Sequence, residues 1–178
     1  NITNSGTIRM RGISVSQSSV EALCAICTAG STGAVTITNS GTIETIGDDR
    51  PAIYTNDETT STIINSGTIS GHGTAKDILV ADDASGTATT TIKISGEGSF
   101  NNGIELNDTT VQLVLEPDIK RDTTVTIYNK DNLTIVNNLT GNDTYSITSE
   151  NLDSGEGDTT LGDGVLTILG EDLEIAQD

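Results

Sequence analysis

The sequence has very few aromatic side chains: it contains no Trp and one Phe, and aromatic residues make up 2% of the chain. Large aromatic side chains supply much of the apolar area that anchors a compact core. Their scarcity argues against an ordinary globular domain, although 178 residues would be enough for one. The apolar residues are mostly Ile, Val and Leu set among Thr, Ser, Asn, Asp and Gly. This composition favours many short strands joined by polar turns.

Basic residues are also scarce, with 8 Lys and Arg against 26 Asp and Glu and a net charge of −18. Such a chain repels phosphate backbones and anionic lipids, so nucleic acids and membrane surfaces are not expected partners. Residues 150–178 contain acidic side chains and no Lys or Arg, which suits cations or a basic partner. High net charge with 33% hydrophobic residues is also typical of disordered chains. The regular spacing of Ile described below opposes that interpretation.

Long apolar runs are missing as well, since none reaches the ~18 residues that span a bilayer. Insertion of this segment into a membrane is therefore not expected. The chain begins at Asn1 with neither an initiator Met nor a signal sequence, and we expect it to be a processed or excised piece.

A seven-residue repeat organises the first part of the chain. Its copies, with the pattern Ile-x-Asn-Ser-Gly-Thr-Ile, are residues 2–8, 37–43 and 63–69, and residues 92–98 form a degenerate fourth copy. The glycines Gly6, Gly41, Gly67 and Gly96 are separated by 35, 26 and 29 residues. A second strand-like element follows each copy, at residues 25–28, 52–55, 77–80 and 103–106. Variable periods with at least two strands per repeat favour the coils of a solenoid whose loops accept insertions. Residues 9–23 form an insertion in the first coil, and a loop or a short helix near residues 19–23 are both open interpretations.

Strand alternation assigns the two faces of each repeat, because side chains at i, i+2 and i+4 share a side. In the second copy Ile37, Asn39, Gly41 and Ile43 point inward. Stacked coils would place the inward amides above one another, where they can bond along the stack and to turn carbonyls. The glycine two residues later permits the bend, by a positive φ or by leaving room for a close backbone. We therefore assign structural roles at the coil corner to Asn4, Gly6, Asn39, Gly41, Asn65 and Gly67.

The sequence predicts an all-β fold, a right-handed parallel β-solenoid of roughly six or seven coils over residues 1–178. Residues 1–106 hold the clear repeats. Residues 107–178 are less regular and acidic but remain strand-like, with turn signals between apolar alternations. We expect them to continue the same single domain.

The repeats, followed by Ala-Ile-Tyr or Gly-Ile-Glu-Leu strands, resemble the passenger repeats of bacterial autotransporters and related secreted β-helix adhesins. The resemblance covers residues 1 to about 106. It implies secretion to the bacterial cell surface or beyond, a parallel β-helix stalk, and roles in adhesion, aggregation or biofilm.

Cys24 and Cys27 form a CxxC pair. In other contexts this spacing indicates redox catalysis or zinc binding, but His72 is the only His and there is no further Cys to complete a metal site. We predict a small disulfide loop at a coil corner. The odd spacing of the two residues requires a bend between Leu23 and Ile26, because the two side chains would leave a straight strand on opposite faces.

No cofactor is expected, and plain acidic loops are the favoured interpretation of Asp153, Glu156, Asp158 and Asp163. Calcium is the best alternative, because these residues lie on Gly-containing turns, although their spacing matches no standard calcium loop. Polysaccharide-cleaving β-helices use carboxylate clusters and aromatic sugar platforms. The acidic pairs here are residues 48–49, 57–58 and 82–83, and the aromatic candidates are Tyr54, Phe100, Tyr128 and Tyr145. Solvated loop charge is the simpler interpretation of the acidic pairs.

The sequence therefore favours a non-enzymatic extracellular scaffold, adhesin or passenger-type stalk, whose partners are copies of itself or a ligand on a host or neighbouring surface. One alternative is a fibre subunit that stacks head to tail through its end coils. A further alternative is a polysaccharide-binding or polysaccharide-cleaving β-helix protein.

Overall fold

The computed structural model describes residues 1–12, 23–28, 33–56, 58–81, 87–107, 110–120, 123–128, 133–138, 144–151 and 163–169, with only the backbone of residue 137 and of the last two segments. The described residues contain strands and no helix. Residues 13–22, which include most of the segment where a helix was one interpretation, lie outside them.

Short strands make up the described chain. In chain order they are β1 (Ile2–Asn4), β2 (Thr7–Arg11), β3 (Ile26–Cys27), β4 (Val35–Asn39), β5 (Thr42–Ile46), β6 (Ile53–Asn56), β7 (Ser61–Asn65), β8 (Thr68–Ser70), β9 (Ile78–Ala81), β10 (Thr90–Ile94), β11 (Ser99–Phe100), β12 (Ile104–Leu106), β13 (Val111–Leu115), β14 (Thr124–Tyr128), β15 (Leu133–Asn137), β16 (Thr144–Asn151) and β17 (Asp163–Leu169).

The strands form three sheets, and neighbouring parallel strands within a sheet come from successive coils. The first sheet has the order β1, β4, β7, β10, β13, β15, and the second has the order β2, β5, β8, β11. The third begins β3, β6, β9, β12, β14. All of these neighbours pair in parallel. This confirms the predicted parallel β-solenoid, and the six strands of the first sheet correspond to six coils, within the expected number.

The core lies inside the coils and consists of stacked aliphatic side chains. In the first sheet Ile37 pairs in register with Ile63, and Ile63 with Ile92. All three are at most 1% exposed. Similar columns run up the second sheet through Ile43 and Ile69 and up the third through Ile53, Ile78 and Ile104. Burying a side chain of this size contributes about 1.5–3 kcal/mol, so the repeated Ile compensates for the missing aromatic residues.

Exposed ion pairs join adjacent coils on the outer surface. Arg9 on β2 donates to Glu44 on β5, with Nε 2.7 Å from Oε1. Lys120 contacts Glu97 at 2.9 Å. Both pairs are solvent-accessible, so each is worth at most about 1 kcal/mol. The buried columns therefore stabilise the stack more than these pairs do.

The last two strands depart from the parallel pattern. β17 pairs antiparallel with β14, and β16 pairs antiparallel with β17. The sequence predicts that residues 107–178 continue as further coils, and within the described residues this holds for strands β13, β14 and β15. The third sheet then ends in an antiparallel hairpin, because strand periodicity indicates which residues face inward but not the direction in which a strand runs.

Candidate functional site

An asparagine ladder occupies the corner between the first and second sheets. Asn4 Nδ2 donates to Asn39 Oδ1 over 2.8 Å, and Asn39 Nδ2 donates to Asn65 Oδ1 over 2.9 Å. Asn39 and Asn65 are fully buried, and Asn4 is 6% exposed. The inward amides are thus arranged along the stack as the sequence suggested.

Each ladder amide also binds the backbone of the turn. Asn39 Nδ2 lies 3.2 Å from the carbonyl oxygen of Gly41 and 3.2 Å from that of Thr68 in the next coil. Asn39 Oδ1 accepts the N–H of Gly41 at 3.3 Å. A buried amide is costly unless its donors and acceptor are used. The ladder meets that requirement and fixes the shape of the corner.

The glycine of the corner is needed for space and not for an unusual φ. A Cβ built on Gly41 would overlap the carbonyl oxygen of Gly6, and one on Gly67 would overlap that of Gly41. Neither glycine is among those with positive φ. Of the two explanations given from sequence, close backbone approach is therefore the correct one at Gly41 and Gly67. Neither explanation applies to Gly6, where a Cβ would meet nothing within 4 Å and φ is not positive.

The ladder ends at the fourth coil. Ile94 pairs in register with Asn65, so an apolar side chain occupies the next position of the amide column. The sequence comparison placed Gly96 opposite Gly67, but Ser99 pairs with Thr68, which leaves two additional residues in this corner. A Cβ on Gly98 would overlap the carbonyl oxygen of Asn65, so Gly98 takes the crowded position, while Gly96 has φ +51° in the turn. The assignment of Gly96 is wrong because strand pairing, and not distance along the chain, sets the register.

The other two corners differ strongly in length from coil to coil. The asparagine corner has two residues in each of the first three coils, at 5–6, 40–41 and 66–67. The connections from the second to the third sheet are residues 12–25, 47–52, 71–77 and 101–103. Those from the third sheet to the first are residues 28–34, 57–60, 82–89, 107–110 and 129–132. The corner between the first and second sheets thus keeps two residues wherever the amide ladder occupies it, and gains two only in the fourth coil, where the ladder has ended.

A buried carboxylate organises one of these variable corners. Asp77 is 0% exposed. Its Oδ1 accepts the N–H of Gly71 at 2.8 Å, and its Oδ2 accepts the N–H groups of Asn102 at 2.7 Å and Gly103 at 2.8 Å. Its own N–H donates to the carbonyl oxygen of Gly103 at 2.8 Å. The side chain therefore ties the corner of the third coil to that of the fourth.

The protonation of Asp77 depends on two opposing effects. Burial raises the pKa of Asp77 from its ordinary value of 3.8 to about 6, because an apolar surrounding disfavours the charged form. The backbone N–H donors lower it but do not cancel the effect of burial. Sequence reasoning missed this residue. The available signal was an Asp at a position that Ala52 and Gly103 fill in the neighbouring coils.

A groove opens where the second sheet stops. Its volume is about 600 Å³, and it lies beside β11, the last strand of that sheet. The lining residues are Thr68, Glu97, Gly98, Ser99, Lys120, Thr123 and Thr124. Hydroxyl groups and the Lys120–Glu97 ion pair supply polar atoms to a lining that is about equally polar and apolar. Among the described residues that line the groove, none offers an aromatic face on which a sugar ring could stack.

Cys24 and Cys27 form the predicted disulfide, with their Cα atoms 5.6 Å apart. Residues 24 and 25 form a bend immediately before β3. Cys24 is buried and Cys27 is exposed. The bond therefore joins the bend at the end of the long first connection to Cys27, the last residue of β3. The bend lies between Leu23 and Ile26 as predicted, but Cys27 itself belongs to the strand.

The predicted acidic sites are only partly within the described residues. Asp49 accepts hydrogen bonds from the backbone N–H and hydroxyl of Thr74, at 3.3 and 3.2 Å. Residues 57, 82 and 83 lie outside the described residues, as do the calcium candidates Asp153, Glu156 and Asp158, and the side chain of Asp163 is likewise not described. In the part that the structure describes, no group of three or more His, Cys, Asp or Glu side chains could hold a metal ion.

The aromatic candidates do not form a sugar platform where their side chains are described. Tyr54 is 4% exposed, and Phe100 packs against the core. The Tyr128 ring is covered by Lys76, whose Nζ lies 3.6 Å from the ring centroid. The side chain of Tyr145 lies outside the described residues.

Comparison with known proteins gives no match: no family model, no curated protein and no solved structure matches this chain. Among the described residues there is no helix long and apolar enough to cross a membrane.

Proposed function

We propose that this chain is a non-enzymatic extracellular scaffold, an adhesin or passenger-type stalk that presents loops from a stiff solenoid. The observation that carries the proposal is the contrast between corners. The asparagine corner keeps two residues in three successive coils, while the next connection varies from residues 12–25 in the first coil to 101–103 in the fourth.

This contrast suits display because a solenoid coil contacts only its neighbours, so a loop can grow without disturbing the register of the strands. Binding residues are commonly carried by loops that a rigid scaffold positions. The Cys24–Cys27 bond lies at the end of the longest connection and fixes the bend immediately before β3. A disulfide also fits an oxidising compartment outside the cell.

The proposal is tested with beads that carry the purified chain. We expect them to attach to at least one surface coated with extracellular glycans or matrix proteins, or to one another. Replacing residues 13–22 with a short Gly-Ser linker should abolish attachment without changing the β-sheet circular dichroism. A matched replacement of residues 82–86 tests whether the effect belongs to the first loop. Beads that bind none of these surfaces and remain dispersed would contradict the proposal.

A second candidate, a fibre subunit, is favoured by the first coil. The strands β1, β2 and β3 are edge strands of the three sheets, and the amide oxygen of Asn4 accepts the N–H of Gly6 but no ladder amide among the described residues. A further coil, from the same polypeptide or from another copy, would complete the ladder there. Electron microscopy of the purified chain separates the two candidates: filaments favour head-to-tail stacking, and separate short rods favour the stalk.

The third candidate is polysaccharide binding in the groove beside β11. Only the hydroxyl groups of the groove support it. Hydroxyls from Thr68, Ser99 and Thr123 line it and could bond to sugar hydroxyls. A binding screen with soluble oligosaccharides, compared between the unaltered chain and Lys120→Ala, tests this candidate. Equal affinity in both would exclude the groove as the binding place.

A further inference from the structure

The corner around Asp77 contains the only Asn-Gly step in the sequence, Asn102–Gly103. Asparagine followed by glycine is the dipeptide most prone to deamidation, because Gly has no Cβ to hinder approach of its backbone nitrogen to the preceding side chain. In this chain both reacting residues are hydrogen-bonded to the same buried carboxylate. We propose that Asn102 and Gly103 form a latent deamidation site, which the Asp77 carboxylate holds in an unreactive arrangement.

The reaction uses only this chain and water. The backbone nitrogen of Gly103 loses its proton and attacks Cγ of Asn102, forming a carbon–nitrogen bond. The bond from Cγ to Nδ2 breaks, and the NH2 group takes up one proton, equal to the one that Gly103 lost to the solvent, and leaves as ammonia. Water then opens the five-membered succinimide to aspartate or isoaspartate. One water is consumed and one ammonia is released.

Two hydrogen bonds and one negative charge oppose formation of the succinimide. The N–H of Gly103 is donated to Asp77 Oδ2 at 2.8 Å, so the proton that must leave is bound. The negative charge of the carboxylate disfavours a second negative charge on that nitrogen. The leaving amide is also held, since Asn102 Nδ2 donates to the carbonyl oxygen of Gly71 at 3.0 Å.

The product would not fit the same corner. A carboxylate at position 102 would face the carbonyl oxygen of Gly71 in place of the donor that now binds it. It would also add a negative charge to a residue whose backbone N–H binds the buried carboxylate of Asp77 at 2.7 Å, and nearby like charges repel. Deamidation would therefore be irreversible, and it would loosen the contact between the third and fourth coils.

The test follows deamidation at each Asn by peptide mass spectrometry during incubation in mildly alkaline buffer. We expect Asn102 to react on the order of tenfold or more slowly in the folded chain than in the urea-unfolded chain, since protection follows the fraction of time the corner is open. Asp77→Asn should raise the rate at Asn102 in the folded protein. The buried residues Asn39 and Asn65, each followed by Ser, serve as internal controls that report global unfolding.

Equal rates of deamidation at Asn102 in the folded and the unfolded chain would overturn the proposal. An unchanged or slower rate in Asp77→Asn would show that the carboxylate does not protect, or that it acts as a base for the reaction. If Asp77→Asn also accelerates deamidation at Asn39 and Asn65, the variant has unfolded. The test is then made on the unaltered chain at low urea concentrations. There the rate at Asn102 must rise in parallel with hydrogen exchange of the Gly103 amide, and independence of the two rates would contradict the proposal.

Discussion

Asn39 donates its side-chain amide to the side-chain oxygen of Asn65 across 2.9 Å, and so joins the second coil to the third inside the solenoid. Asn39 also accepts the amide of Asn4, whereas Asn65 has Ile94 above it. The middle residue of the ladder thus has two amide partners and the last residue has one.

We expect Asn39→Leu to destabilise the fold although it adds apolar surface. It leaves buried amide and carbonyl groups of the neighbouring coils unpaired, each at about 1–3 kcal/mol. Asn65→Leu is the matched control, since it removes one link between ladder amides and should cost less. Urea unfolding of the two variants measures the difference. Equal or increased stability of Asn39→Leu would show that the ladder does not stabilise the corner.

Gly41→Ala should be strongly destabilising and Gly6→Ala nearly neutral, although both glycines occupy the same place in the repeat. A Cβ at Gly41 overlaps the carbonyl oxygen of Gly6, whereas a Cβ at Gly6 meets nothing within 4 Å. Overpacking against backbone costs about 1–3 kcal/mol or more, and an unobstructed surface change about 0.5 kcal/mol or less. Thermal unfolding distinguishes the pair, and similar losses in both variants would contradict the assigned stacking of coils.

The buried carboxylate of Asp77 predicts an unusual dependence of stability on pH. Its folded-state pKa of about 6 lies above the ordinary 3.8, so the folded chain is more stable when Asp77 is protonated than when it is charged. The resulting stabilisation is fully present below pH 3.8 and is lost as the pH rises through about 6. The difference in pKa corresponds to about 3 kcal/mol.

The experiment compares the free energy of unfolding of the unaltered chain and of Asp77→Asn between pH 4 and pH 7. The remaining acidic residues contribute to both proteins, so their effect cancels in the difference. The advantage of the unaltered chain over the variant should shrink as the pH rises. A difference that stays constant across this range would mean that Asp77 does not titrate there.

Reduction of the Cys24–Cys27 bond should loosen the first connection without unfolding the solenoid. The bond joins residues three positions apart, so little loop entropy is at stake and its effect should be local. Hydrogen exchange before and after reduction should differ near β3 and remain unchanged in β7 and β10. Mass spectrometry of the alkylated, unreduced protein provides the control, and two free thiols or global unfolding on reduction would contradict the assignment.

The repeat predicted the strands and the corner because the inward Ile and Asn recur at fixed positions around Asn39 and Asn65. It misplaced Gly96, since two extra residues in that corner do not alter the local motif and only the pairing of Ser99 with Thr68 reveals them. The role of Asp77 depends on N–H groups 25 and 26 residues away. Because the coils vary in length, the distance between two residues along the chain does not show which residues of neighbouring coils are in contact. The antiparallel hairpin of β16 and β17 was missed for a related reason, since no repeat indicates strand direction there.

A methyl NOE experiment on the isotope-labelled chain tests the stacking of the coils directly, because it observes the column formed by Ile37, Ile63 and Ile92. The parallel solenoid places these side chains one above another in successive coils. We predict strong NOEs from Ile37 to Ile63 and from Ile63 to Ile92, and much weaker ones from Ile37 to Ile92. Absence of the two neighbouring contacts, or a pattern of antiparallel pairing among β4, β7 and β10, would contradict the solenoid and with it the scaffold function proposed for the chain.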